Sequence, residues 1–285
     1  MKEFSYPKLE PFNFLGLANQ DYDNAKVVIF PVPYNSTTYW KSGTKDGPQA
    51  IIEASRHVEL YDIEIKKDSS KEGIFTLEPL EPSKNSPKET MERIKGVIDK
   101  ILQDKKIPIV LGGEHSITLG VIESFKEKFS DFSILQLDAH SDLRDEFEGT
   151  KYHHASVMKR IKDLGISITQ VGIRSISEEE IGYAEDKNIF YAPEIPVEKI
   201  ISTLKEKVYL TLDLDVLDPS IMPSTGTPEP GGLGWYEILN LIKEVAKKRN
   251  IIGADVVELD PIPGLSAPDF LAARLTYKII SYVFK

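Results

Sequence analysis

FSILQLDAHSDLRDE, residues 132–146, decides how this chain is read. Phe132 to Leu137 is an apolar run of the length of one buried strand, and it ends in Asp138, His140 and Asp142 at alternate positions. If the strand continued, the three side chains would share one face; if it has just ended, they fan into one pocket. In both cases three groups that are costly to bury converge on one place. Capping and turn chemistry is the ordinary use of Asp and Ser after a strand, so the triplet has to be weighed against the rest of the chain.

The same pattern recurs along the sequence. Residues 26–33 (KVVIFPVP), 107–113 (IPIVLGG), 167–174 (SITQVGIR), 207–215 (KVYLTLDLD) and 250–261 (NIIGADVVELDP) are further apolar or β-branched runs that finish in Gly, Pro, Arg or Asp. Between them, residues 86–105, 116–129, 154–165 and 234–249 repeat their apolar residues at helical spacing. Near-continuous apolar strands joined by amphipathic helices imply a parallel sheet covered on both faces. With no linker, repeat or low-complexity tract, residues 1–285 are expected to form one α/β domain. The Pro-rich N-terminal region and residues 68–87 read as irregular surface excursions, and His57 reads as a structural residue on a helix.

Composition narrows the chemistry. The 285 residues are 41% hydrophobic and 28% charged, with a formal net charge of −10 and no Cys. Disulfides and thiolate metal sites are therefore excluded, and any metal must be held by imidazole, carboxylate and water. The acidic balance argues against a nucleic-acid surface and suits a small cationic substrate. No apolar stretch approaches the roughly 20 residues needed to span a bilayer, and MKEFSYPKLEPF lacks the apolar core of a secretory signal, so the expectation is a soluble, cytoplasmic protein without a membrane partner.

In open α/β sheets the functional crevice lies beyond the carboxyl ends of the strands. His115 in GGEHS follows one strand, Asp138, His140 and Asp142 follow another, Asp213, Asp215 and Asp218 follow a third, and Asp255, Glu258 and Asp260 close a fourth. Taken singly, His115 reads as a cap or a core imidazole, and Asp218-Pro219 reads as a turn. Together the bland account fails, because so many carboxylates at adjacent strand ends would cost several kcal/mol for each uncompensated charge. His115, Asp138, His140, Asp142, Asp213 and Asp215 are better matched to two divalent ions sharing bridging carboxylates. A sulfur-free set of this kind suits Mn²⁺, with Co²⁺, Fe²⁺, Zn²⁺ or Ni²⁺ as substitutes.

GGEHSIT, LDAHSDLRDEF, YHHAS, YLTLDLDVLDPSIMPSTGTPEPGGLGWYE and DVVELDP, in that order, resemble the successive signatures of the ureohydrolase family, which includes arginase, agmatinase and formiminoglutamase. VPYNSTTYWKSGTKDGPQAI, residues 32–51, is similar to the Gly-rich segment of agmatinase-type members. The resemblance implies a three-layer α/β/α sandwich around a mainly parallel sheet of about eight strands. It also implies two Mn²⁺ ions and hydrolysis of a guanidino group to urea and an amine by a metal-bridging hydroxide. On that pattern His115 and Asp142 would serve one ion, His140 and Asp215 the other, and Asp138 and Asp213 would bridge. Glu258 matches the carboxylate that receives the guanidinium, and His154, followed by Ala155, matches the proton shuttle. His153, the other candidate for that proton and for a place beside the substrate, has a cap or surface role as its expected fate.

Substrate choice is carried by fewer residues. Arginase-type members place an Asn soon after the DxHxD motif and a SGNxHG stretch, where this chain has Arg144 and EGTKYHHAS. It therefore looks more like an agmatinase, converting agmatine to putrescine and urea in polyamine synthesis, with arginase or mixed arginase/agmatinase activity as the alternative. Arg144 is expected either to meet a substrate carboxylate or to pair with Asp145, Glu146 or Glu148. Other guanidino or formimino substrates, a metal-binding paralogue without catalysis and a one-zinc deacetylase of related fold stay open at this point. The family also implies a homo-oligomer, trimer or hexamer.

Overall fold

All six apolar runs become strands. In the computed structural model, which describes residues 6–38, 40–184 and 187–284, the strands are β1 (Val27–Val32), β2 (Tyr61–Asp62), β3 (Lys67–Asp68), β4 (Ile74–Thr76), β5 (Ile107–Gly112), β6 (Ser133–Leu137), β7 (Ser167–Ile173), β8 (Ile189–Tyr191), β9 (Lys207–Asp213) and β10 (Asn250–Val257). The helices are α1 (Gly47–Ser55), α2 (Pro87–Gln103), α3 (Thr118–Lys128), α4 (Val157–Asp163), α5 (Ile181–Ala184), α6 (Val197–Thr203), α7 (Trp235–Lys248) and α8 (Ala267–Val283). Eight strands form one sheet in the order β4-β1-β5-β10-β9-β6-β7-β8, with every pairing parallel, while β2 and β3 make a small antiparallel pair.

Local chemistry sets the helix limits. Ser86 caps α2 by accepting the Glu89 N–H at 3.2 Å, Pro87 occupies the first turn where its missing N–H costs nothing, and Met91, Ile94, Ile98, Ile101 and Leu102 form the buried stripe. In α7 the Glu237 carboxylate reaches back to the Gly234 N–H at 2.7 Å, and Ile238, Leu241, Ile242 and Val245 face inward. These stripes build two cores. One packs α1, α6, α7 and α8 on one face of the sheet; the other packs α2, α3 and α4 on the opposite face. The result is the expected three-layer sandwich. No helix among the described residues is long and apolar enough to cross a membrane.

Two expectations are corrected. Residues 68–87 are not wholly irregular, because Ile74–Thr76 adds to the edge of the sheet beside β1. His57 lies beyond the end of α1 at Ser55 rather than within a helix.

What the topology does for function is bring four strand ends together. β5, β10, β9 and β6 are consecutive in the sheet, so residues far apart in sequence leave it side by side. Register sharpens the point: Leu137 pairs with Leu212 and Val257 with Asp213, which brings Asp138, Asp213 and Glu258 out at nearly one level.

Candidate active site

The opening triplet fans rather than aligning. β6 stops at Leu137, and Asp142 takes a left-handed backbone with φ 53°, unusual for a residue with a side chain. The turn delivers its carboxylate to His115, whose Nδ1 lies 3.1 Å from Asp142 Oδ2, 3.1 Å from Asp138 Oδ2 and 3.5 Å from Asp213 Oδ2. On the other side of Asp138, His140 Nδ1 lies 2.8 Å from Asp215 Oδ2 and 3.7 Å from Asp138 Oδ1. His115, Asp138 and Asp213 form one group of ligand atoms and Asp138, His140 and Asp215 another, with Asp138 common to both. All six expected ligands therefore meet, and the four carboxylates are buried.

Hydrogen bonds orient these groups. Gln136 Nε2 donates to Asp138 Oδ2 at 2.7 Å and the His140 N–H to Oδ1 at 2.5 Å; Ala139 N–H donates to Asp215 Oδ1 at 2.9 Å, and Asp215 N–H to Asp213 Oδ1 at 2.9 Å. Behind His115, Nε2 meets Thr211 Oγ1 at 2.8 Å, and that hydroxyl donates to Asp255 Oδ1 at 2.6 Å. The threonine oxygen therefore receives the Nε2 proton, and Nδ1 presents its lone pair to the carboxylates. Buried, His115 Nδ1 has no hydrogen-bond partner among the described residues. Three carboxylate oxygens facing a lone pair repel it unless positive charge lies between them. That donor set fits divalent cations bound to both groups.

The titration pattern reports the same shortage of positive charge. Burial works against a charged His140, yet the Asp215 and Asp138 carboxylates outweigh it and raise the ring to about 12. Burial and the neighbouring Asp138 push Asp142 up to about 7, and burial with Asp215 and Asp138 pushes Asp213 well above the carboxylate range.

Glu258 also has a left-handed backbone, φ 65°, and its Oε1 accepts the His115 N–H at 2.7 Å. Burial raises its carboxyl well above the usual range, and Glu114 adds to the effect. Holding a non-glycine residue there costs on the order of 1 kcal/mol, and it turns the carboxylate back over the metal groups. His154 and His153 separate cleanly. His154 lines the cleft; His153 is buried, caps the following turn by accepting the Ala155 N–H at 3.2 Å, and meets the Phe147 ring edge-on at 4.8 Å. Burial, followed by the neighbouring imidazoles, holds His154 down at about 3.

The cleft holds roughly 320 Å³ and runs from the metal groups and Glu258 to exposed Trp40. Arg144 lines it, but its partner is Glu179, not Asp145, Glu146 or Glu148, and its guanidinium lies 4.5 Å from the Phe147 ring centre. Asp218 is a turn residue, accepting from Ser220, Gly231 and Gly232 N–H groups. Asp255 lies inside β10, beneath the site, and Asp260 is half-buried against Gly43.

Several supporting residues escape sequence reasoning. Arg174 donates to the carbonyls of Asp215 at 2.6 Å, Glu229 at 2.8 Å and Pro230 at 3.0 Å, clamping the loop that carries Asp215. Glu114 and Thr37 form a buried pair at the wall nearest His154. A Cβ on Gly113 would lie 1.9 Å from the Tyr34 carbonyl oxygen, so only glycine lets this segment pack against β5.

Comparison with known proteins agrees with this geometry, since residues 25–281 match the arginase family. The chain belongs to that family. It is 40% identical to an N(1)-aminopropylagmatine ureohydrolase of Synechocystis sp., over 92% of this chain and 90% of that protein. An agmatinase of Halalkalibacterium halodurans is 34% identical, over 86% of this chain and 87% of its own length. The crystal structure of the agmatine ureohydrolase of Thermoplasma volcanium superposes with a TM-score of 0.86 at 31% identity, covering 96% of this chain and 95% of that one. The arginase-family protein is thus a ureohydrolase with a buried His/Asp cluster able to bind metal.

Proposed function

We propose that this enzyme hydrolyses the guanidino group of a decarboxylated arginine derivative, agmatine or its N(1)-aminopropyl form, to urea and the corresponding amine. The observation that carries this is the state of Arg144. Glu179 and the Phe147 ring already engage its guanidinium, so a substrate α-carboxylate would have to displace an internal ion pair to use it. An amine-ended substrate needs no such exchange. The names of the Synechocystis and Halalkalibacterium relatives support the same class.

His115 and Asp142 would hold one Mn²⁺ and His140 and Asp215 the other, with Asp138 and Asp213 shared. When bound, the ions acidify water so that a hydroxide nucleophile is available near neutral pH. Glu258 binds and orients the substrate, since a carboxylate facing the N–H fork of a guanidinium is a strong charge-assisted geometry. A guanidinium there would supply positive charge to a carboxylate that burial and Glu114 otherwise disfavour. Addition of water to the guanidino carbon is followed by cleavage of its bond to the alkyl nitrogen, which must gain a proton as it leaves. His154, neutral and facing the cleft, takes the proton left on the added oxygen and passes it to that nitrogen. Urea and the amine then balance the reaction.

Urea release by protein preincubated with Mn²⁺ tests this, with agmatine, N(1)-aminopropylagmatine and arginine assayed side by side. Turnover of either amine without arginine is the expected result. Arginine turnover would instead assign Arg144 to carboxylate recognition, and no urea from any of the three would refute the proposal.

A further inference from the structure

Glu114 is fully buried beside the metal ligand His115, yet it belongs to neither ligand group and has no role in the chemistry above. Its Oε1 accepts the Thr37 hydroxyl at 2.7 Å and the Ser116 hydroxyl at 2.5 Å, and its Oε2 accepts the Thr37 N–H at 2.6 Å. Thr37 Oγ1 in turn lies 3.2 Å from the His154 backbone nitrogen and 3.3 Å from His154 Nδ1.

We infer that Glu114 and Thr37 are positioning residues that set the tautomer of His154. Burial raises the Glu114 carboxyl, but the three donors converging on its oxygens favour the carboxylate, which can only accept, so the single Thr37 hydroxyl proton is committed to it. The two remaining lone pairs of Thr37 must then accept, one from the His154 N–H and one from Nδ1–H. That places the ring proton on Nδ1 and leaves Nε2, which has no protein partner among the described residues, as the basic nitrogen for the cleft. A shuttle needs that arrangement, because a ring with the proton on Nε2 could not take one from the added oxygen there. The same logic fixes which imidazole nitrogen works in other acid–base sites.

The inference rests on the shuttle role proposed for His154, and Glu114→Gln tests the direction of the bonds with little change of shape. An amide can put its oxygen toward the Thr37 N–H and its NH₂ toward the two hydroxyls, satisfying every group. The Thr37 hydroxyl proton is then free to point at His154 Nδ1 and drive the ring proton to Nε2. Glu114→Gln should lower kcat for agmatine by about 10²-fold, since a wrong histidine tautomer is severe. KM and Mn²⁺ content should hold. Thr37→Val should lower kcat at least about 10-fold, and Thr37→Ser, which keeps the hydroxyl, should restore it. In a His154→Asn background neither substitution should cost anything more, the signature of residues acting through one group.

A readout without turnover is the ¹⁵N shift of the His154 ring in the metal-free protein: Nδ1–H in the parent, Nε2–H in Glu114→Gln. Unchanged kcat in Glu114→Gln and Thr37→Val, additive losses in the double variants, or Nε2–H in the parent would overturn the inference while leaving the shuttle role intact. Full activity in His154→Asn would remove that role and the inference with it.

Discussion

Asp138 is the residue on which both metal groups depend, and Asp138→Asn is the perturbation whose size follows most directly from the structure. Asp138, Asp142, Asp213 and Asp215 can supply four negative charges in a buried setting, which would balance the two proposed divalent ions. The substitution leaves one positive charge uncompensated there, at about 3–5 kcal/mol, or roughly 10²- to 10⁴-fold in ion affinity. The amide adds a second problem. Whichever way it is turned, its NH₂ faces a donor, Gln136 Nε2 where Oδ2 stood or the His140 N–H where Oδ1 stood. Equilibrium dialysis at fixed free Mn²⁺ with elemental analysis should find both ions depleted together with urea release. Asp142→Asn, which alters a carboxylate 3.1 Å from the His115 ring, should weaken one ion and spare the other. Two tightly held ions and parental turnover in Asp138→Asn would refute the shared-ligand assignment.

Other expected outcomes can be checked separately. Glu258→Gln should raise KM for agmatine by at least about 10-fold while both ions remain, because it removes a charged hydrogen-bond acceptor; parental KM would sink the substrate role. His153→Ala should cost about 1–2 kcal/mol of stability through the lost cap and buried ring, with kcat little changed. Denaturant melts measure the first part, and loss of turnover at full metal content would transfer the shuttle to His153. For Glu64, burial alone would raise the carboxyl, but hydrogen bonds from Lys243, Lys278 and Tyr282 lower it from 4.5 to about 2. Its contribution is therefore present above about pH 4.5 and lost as pH falls toward 2. Glu64→Gln should flatten that acid limb of the stability profile, and an unchanged slope would assign acid unfolding to other carboxylates.

How far the sequence could be read depended on whether the signal was local. The six ligand residues sit in short motifs at strand ends, each strand is a continuous apolar run, and alternation alone showed that Asp138, His140 and Asp142 converge. The Thr37–Glu114 and Thr37–His154 contacts instead span 77 and 117 residues, and a threonine in a loop gives no hint of either. β4 and β8 are only three residues long at the two edges of the sheet, so their apolar residues are too few to stand out as a strand. The helix α8 was missed for the opposite reason. It buries Ala272, Ala273, Leu275, Tyr277, Ile279 and Ile280 around most of its circumference, and the amphipathic stripe that betrays α2 and α7 is absent. The partner of Arg144 is not legible locally, because Asp145 is engaged by Arg160 and Glu179 arrives from a helical turn 35 residues further on.

The central claim is a two-ion site that hydrolyses a guanidino amine, and a titration of metal-free protein with Mn²⁺ tests it most directly. Bound ions per chain and urea released from agmatine should rise together and saturate at two ions. Saturation at one ion, or urea release that persists after complete chelation, would contradict the account.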